Sequence, residues 1–150
     1  MKSIVHSFLL AAIIAALGAG AAAADSANDI KYRKAHMKAL SGHLGPIFMV
    51  LKGEAGDKSH IAAHASALAN VAMMAGGLFP AGSGTGDTEA LPVIWEKPGE
   101  FEEKIKALED ATAKLFGAAR KGDMAKIGAA AGAVGKSCGG CHKLFRKKKN

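Results

Sequence analysis

From residue 28 onward the apolar residues recur at alternating steps of three and four, the period of an amphipathic helix. Ile30, Met37, Leu40, Leu44, Ile47 and Leu51, with Arg33 filling one gap, mark the inward seam of a first helix running from Asn28 to about Lys52. Gly42, Gly45 and Pro46 weaken its second half, and Pro46, which removes one backbone hydrogen bond, is expected to bend it. Asp57 is the expected N-cap of a second helix with the seam Ile61, His64, Leu68, Val71, Ala75 and Leu78, stopped by Gly76-Gly77. Residues 79–98 break the periodicity. This stretch is Gly-rich and polar in the middle but carries Phe79, Leu91, Val93, Ile94 and Trp95, so it reads as a surface loop pinned at both ends by apolar side chains. A third helix opens after Pro98-Gly99, with Glu100, Glu102 and Glu103 near its positive end and the seam Phe101, Ile105, Leu108, Thr112, Leu115 and Ala119. Lys121-Gly122 breaks it, Asp123 caps a fourth, and the last seam is Met124, Ile127, Ala131, Val134, Cys138, Cys141 and Phe145. Four amphipathic helices with short links inside each pair predict an all-α, antiparallel four-helix bundle, a single domain over residues 25–150.

Residues 1–24 read differently. A charged start, Met1-Lys2, precedes an apolar run from Ile4 to Leu17 and a small-residue end, Ala22-Ala23-Ala24, the pattern of a secretory signal peptide cleaved before Asp25. No other stretch is long and apolar enough to span a bilayer, so no membrane span is expected after cleavage. Residues 25–150 carry 19 Lys+Arg and 13 Asp+Glu, a net charge of +6. A basic surface steers acidic partners. Nucleic acid is not an expected partner, because aromatic residues are few and the one dense run, Arg146 to Lys149, ends a helix where positive charge suits the dipole.

The chemistry sits near the C-terminus, in Cys138-Gly139-Gly140-Cys141-His142. Cys-x-x-Cys-His is the attachment pattern of haem c: each thiol adds across one vinyl group and the histidine becomes the axial ligand of the iron. Cys138 and Cys141 are i,i+3 and Cys138 and His142 are i,i+4, so one helical turn projects all three to one side. A thioredoxin-like pair would sit between a strand and a helix, and no strand-like run precedes this one. A zinc site needs four ligands, and these are the only two cysteines. A plain disulfide would leave His142 unexplained. Both cysteines continue the three-four alternation of the core residues, so one covalent haem c is expected on the inward face of the last helix. Gly139 and Gly140 each cost about 1 kcal/mol relative to Ala in a helix interior, which haem bonding and packing must offset.

With Lys31-Tyr32-Arg33 early in the first helix, Phe79-Pro80 and Ile94-Trp95 around the long loop, and Cys138 to His142 followed by Arg146, the chain resembles the cytochrome c-prime and cytochrome c-556 group, the class II c-type cytochromes. The resemblance covers essentially all of residues 25–150. It implies a four-helix bundle, often a homodimer packed through its first helices, and the export signal at residues 1–24 makes the periplasm the expected location and periplasmic redox proteins the expected partners. Carried over, Cys138 and Cys141 are the thioether positions, His142 the proximal ligand, Arg33 the arginine beside a haem propionate and Arg146 the basic residue on the proximal side. Nothing in the chain looks like a nucleophile, general base or substrate pocket apart from the haem, so no enzyme is expected.

The same resemblance places Met37, four residues after Arg33, on the distal side of the haem. Where methionine ligates there, the iron is six-coordinate and low-spin, and the thioether stabilises the ferrous state, as suits an electron carrier. Where the distal residue only packs, the iron is five-coordinate and open to nitric oxide and other small gases. The expectation taken forward is a low-spin His142/Met37 electron carrier of c-556 type. The alternative is a five-coordinate c-prime protein that binds or buffers nitric oxide. His36, beside Met37, and His64, on the second seam, are the other candidate distal ligands. His43 and His60 read as surface residues, and Met49, Met73, Met74 and Met124 as core or surface filler.

Overall fold

The computed structural model describes the backbone of residues 2–148 and the side chains of residues 26–148. The expected leader, residues 1–24, therefore lies outside the residues whose side chains are described. The helices are α1 (Lys2–Lys52), α2 (His60–Ala72), a short α3 (Val93–Glu96), α4 (Pro98–Ala119) and α5 (Met124–Phe145), with one turn of 3-10 helix at Ala75–Leu78. Among the described residues there is no strand, only an isolated antiparallel bridge between Ala90 and Arg146. No helix among them is long and apolar enough to cross a membrane.

The four long helices form the expected antiparallel bundle. The directions follow from pairs across each interface. His36 meets Val71 while His43 meets His64, so α1 and α2 run oppositely. Phe101, at the start of α4, meets Phe145, at the end of α5, and only residues 120–123 join their other ends, so α4 and α5 do too. The ring closes least tightly between α1 and α5.

The expected seams are the buried ones. Ile47, Ile61, Leu68, Leu115, Ile127 and Val134 are all 0–2 % exposed and form the body of one core with Leu40, Ala65, Ala72, Ala111, Ala119 and Ala131. Leu115 is fully enclosed. Leu115→Ala is expected to cost about 2–5 kcal/mol by cavity formation, read as a drop in the urea or thermal midpoint of the haem-loaded protein. A second, aromatic core lies at the other end, where Phe79, Phe101 and Phe145 stack edge to face at 4.7 and 5.2 Å and tie the long loop to α4 and α5.

Several boundaries differ from the expectation. Asp57 does not cap α2. Its carboxylate accepts from the Ser59 backbone N–H at 2.7 Å, closing a turn, and the helix starts two residues later, after Ser59. The second helix ends at Ala72 and tightens into the 3-10 turn before Gly76-Gly77 can stop it. Asp123 does cap α5, accepting from the Lys126 N–H at 3.1 Å, and Gly122 turns the chain into it at φ 68°. The helix assignment of α1 continues through Pro46. The loop is more ordered in layout than a simple surface excursion. Leu91 N–H donates to Phe145 O and Lys147 N–H to Glu89 O, so the loop is strapped to the chain leaving α5. Gly84 lies where a Cβ would come within 2.8 Å of the Trp95 ring, so only glycine lets the loop pass that close.

Candidate haem site

Cys138 and Cys141 are free thiols, both half-buried, on the inner side of α5. Cys138 packs against the main core and Cys141 against the aromatic one, so the motif straddles the two. Burial is the main reason both thiols are held above their usual range, which keeps them as thiols in the free chain. His142 lies at the outer edge of the same turn, exposed, its pKa lowered by burial of the ring base and by Arg146 and raised by Glu89. A neutral imidazole is the form that binds iron. A Cβ at Gly139 or Gly140 would meet nothing within 4 Å, and α5 stays regular through both.

The histidines separate cleanly by what their rings already do. His36 Nε2 is 2.8 Å from Val71 O, so the ring N–H donates to that carbonyl and joins α1 to α2. His43 and His64 meet each other, Nδ1 to Nδ1 at 3.2 Å. His142 is exposed at the end of the motif, with Arg146 and Glu89 acting on its ring. The donor set that haem c requires is thus present: two free thiols spaced by one turn, followed by an exposed imidazole. These residues fit the group. Cys138 and Cys141 would hold it covalently and His142 would supply the axial nitrogen.

Of two open clefts, one adjoins the motif. One, of about 340 Å³, is lined by Gly139, His142, Lys143, Arg146, Lys147 and Lys148, giving the outer side of His142 a basic rim. The other, of about 420 Å³, lies between the 3-10 turn, α3 and α4, with Phe79, Trp95, Phe101 and Ile105 on its walls. The motif does not line it directly, but Cys141 packs against the same aromatic cluster.

Met37 is half-buried and packs against the main core, as Cys138 does, so the inward placement expected for it is what the fold delivers. His36, off the expected seam, is in fact 7 % exposed and more buried than Met37. It is spent on Val71 and His64 is spent on His43, so neither expected alternative ligand is at liberty. His43 is a correction: it is half-buried and paired rather than a surface residue.

Arg33 has a role that sequence reasoning missed. Its side chain is 4 % exposed, and its two terminal nitrogens donate to Leu78 O (3.2 Å), Ser83 Oγ (2.8 Å), Ser83 O (2.9 Å) and Thr88 Oγ1 (2.8 Å). The guanidinium also lies 4.8 Å from the centre of the Phe79 ring. Burial pushes its pKa down and Asp29 pushes it up, and a guanidinium stays charged at any working pH. Arg33 thus ties residues 78–88 to α1. The available signal was an arginine on an otherwise apolar seam facing a loop with Ser83 and Thr88. Arg146 sits where expected, beside His142, and its Nε–H donates to Glu89 Oε2 at 2.6 Å.

Known proteins sharpen this picture. The model of the cytochrome c' family matches residues 28–146. Cytochrome c' of Alcaligenes xylosoxydans xylosoxydans is 37% identical over 123 residues, covering 81% of this chain and 95% of that one. Cytochrome c-554 of Cereibacter sphaeroides is 39% identical over 126 residues, covering 79% and 92%. Among solved structures, a nitric oxide complex of a cytochrome c prime variant from Alcaligenes xylosoxidans superposes with a TM-score of 0.77 at 35% identity, covering 83% of this chain and 97% of that one. The expected low-spin His142/Met37 electron carrier gains no support from these findings. The open-iron alternative fits them better, and a Met37 side chain embedded in apolar packing is compatible with it. The motif, the bundle and the relatives agree: this chain belongs to the cytochrome c' family, the class II c-type cytochromes, and carries one covalent haem c with its iron.

Proposed function

We propose that this chain is an exported haem protein whose iron keeps its sixth position open and takes up nitric oxide or a similar small uncharged gas. The observation that carries the reading is the commitment of the candidate distal histidines: His36 is engaged with Val71 and His64 with His43, whereas His142 follows directly on the two thiols. A close structural relative in complex with nitric oxide supports it. When bound, the haem would supply an iron able to bind a diatomic gas. The chain's own residues do the rest. Met37, on the core side of α1, serves as apolar lining that keeps water and anions away rather than as a ligand. His142 would hold the metal, with Arg146 and Lys143 beside it on the basic rim. Arg33 keeps the loop closed over the aromatic core, and by resemblance it would also lie beside a haem propionate. The work is binding rather than turnover. The leader at residues 1–24 and a pair of thioether cysteines suit the periplasm.

The test is carbon monoxide addition to the dithionite-reduced holoprotein, followed by absorption spectroscopy. The Soret band is expected to shift at once, and Met37→Leu should leave both the spin state and this response unchanged. A ferrous protein that ignores carbon monoxide until Met37 is replaced would instead establish thioether ligation.

A further inference from the structure

Away from the haem, α1 and α2 bring two imidazoles together. His43 Nδ1 and His64 Nδ1 are 3.2 Å apart, with ring centroids at 5.5 Å, so the rings meet nitrogen to nitrogen. Both side chains are half-buried at the helix crossing and open on one side to solvent. They come from different helices, 21 residues apart in sequence. In the free protein one ring's N–H donates to the bare nitrogen of the other. Such a pair also has the bite of a chelate. Zinc–imidazole bonds of about 2.0–2.1 Å from nitrogens at this separation subtend about 100° at the metal, close to a tetrahedral angle.

We infer that His43 and His64 form a binding site for a divalent first-row cation of the zinc or copper class, with solvent completing the coordination. Imidazole suits these ions, whereas magnesium and calcium demand oxygen ligands that are not part of the pair. On binding, the Nδ1 proton of the donor ring passes to that ring's own Nε2, so both neutral rings present a bare Nδ1, and the ion sits off the line joining these nitrogens, on the solvent side, after a modest swing of each ring. It links α1 to α2 and stabilises their crossing. His60, one turn before His64 on α2, is not part of the site: no group of three potential ligands is set to hold a metal among the described residues.

The experiment is calorimetric titration of untagged, haem-loaded protein with zinc chloride in a non-chelating buffer at neutral pH. One zinc per chain is expected. His43→Ala and His64→Ala should each weaken binding by about tenfold or more, since losing a direct ligand costs at least what losing a supporting partner does. His60→Ala should bind as the unmodified protein does. The absorption spectrum of the haem shows whether each variant is folded. The unmodified protein needs no variant for a second reading: its thermal midpoint should rise with zinc, because an ion that binds only the native state stabilises it by mass action. Zinc binding no tighter than about 1 mM overturns the proposal and leaves a hydrogen-bonded histidine pair. Binding that survives His43→Ala but disappears in His60→Ala also overturns it, by moving the site onto α2 alone.

Discussion

Replacing Cys138 and Cys141 together by Ala is expected to abolish covalent haem attachment while leaving α5 helical. The thioethers form from these two sulfurs and there is no third cysteine to substitute. Alanine is the better helix former, and neither thiol makes a bond that holds the bundle in the free chain. Haem retained by the double variant should therefore pass into acid acetone, whereas that of the unmodified protein stays with the polypeptide. Single variants should keep one bond and resist extraction. Haem that remains unextractable in the double variant would undo the assignment of the motif. The contrast with His142→Ala is informative: there the covalent bonds persist and the iron loses its axial nitrogen, so the spectrum changes without extraction.

Arg33→Ala is expected to have the largest effect on stability. The side chain donates four hydrogen bonds to the loop in a nearly closed environment. Its loss leaves the Leu78 and Ser83 carbonyls and the Ser83 and Thr88 hydroxyls to find water where little can enter. Hydrogen bonds to a charged group contribute about 1.5–3 kcal/mol each, so with partial relaxation the loss is about 3–5 kcal/mol. For a domain of this size that is about 10–20 °C in the thermal midpoint. Arg33→Lys keeps the charge but not the fork, so it should recover only part of the loss. Hydrogen exchange separates this role from one on a propionate. Loop anchoring predicts faster exchange at the amides of residues 79–90 in the variant. A propionate role alone would leave those amides protected and shift only the haem bands.

The bundle was legible because its warrant is repetitive. Some two dozen seam residues follow the three-four step, and an error at one does not move the others. Cys138, Cys141 and His142 were legible for a different reason: the chemistry fixes their spacing. What escaped the sequence depends on rotation and on long-range partners. Choosing between His36 and Met37 needs the helix phase to within one residue, and the seam alone put Met37 inward and His36 aside, whereas the fold buries His36 more deeply and gives it Val71. His43 read as surface because its partner His64 lies on another helix, and the pairing appears only when α1 and α2 cross. The start of α2 was misplaced because an Asp can close a turn as well as cap a helix, and Asp57 does the former. Arg33 was noticed but assigned by resemblance to the haem alone. Its bonds to residues 78–88 depend on the path of an irregular loop, which no periodicity encodes.

The most direct test of open iron is the electron paramagnetic resonance spectrum of the purified ferric protein at low temperature. Five-coordinate iron held by His142 alone gives an axial high-spin or spin-admixed signal, and Met37→Leu leaves it unchanged. A rhombic low-spin signal in the unmodified protein, converting to high spin when Met37 is replaced, would contradict this and restore the electron-carrier assignment.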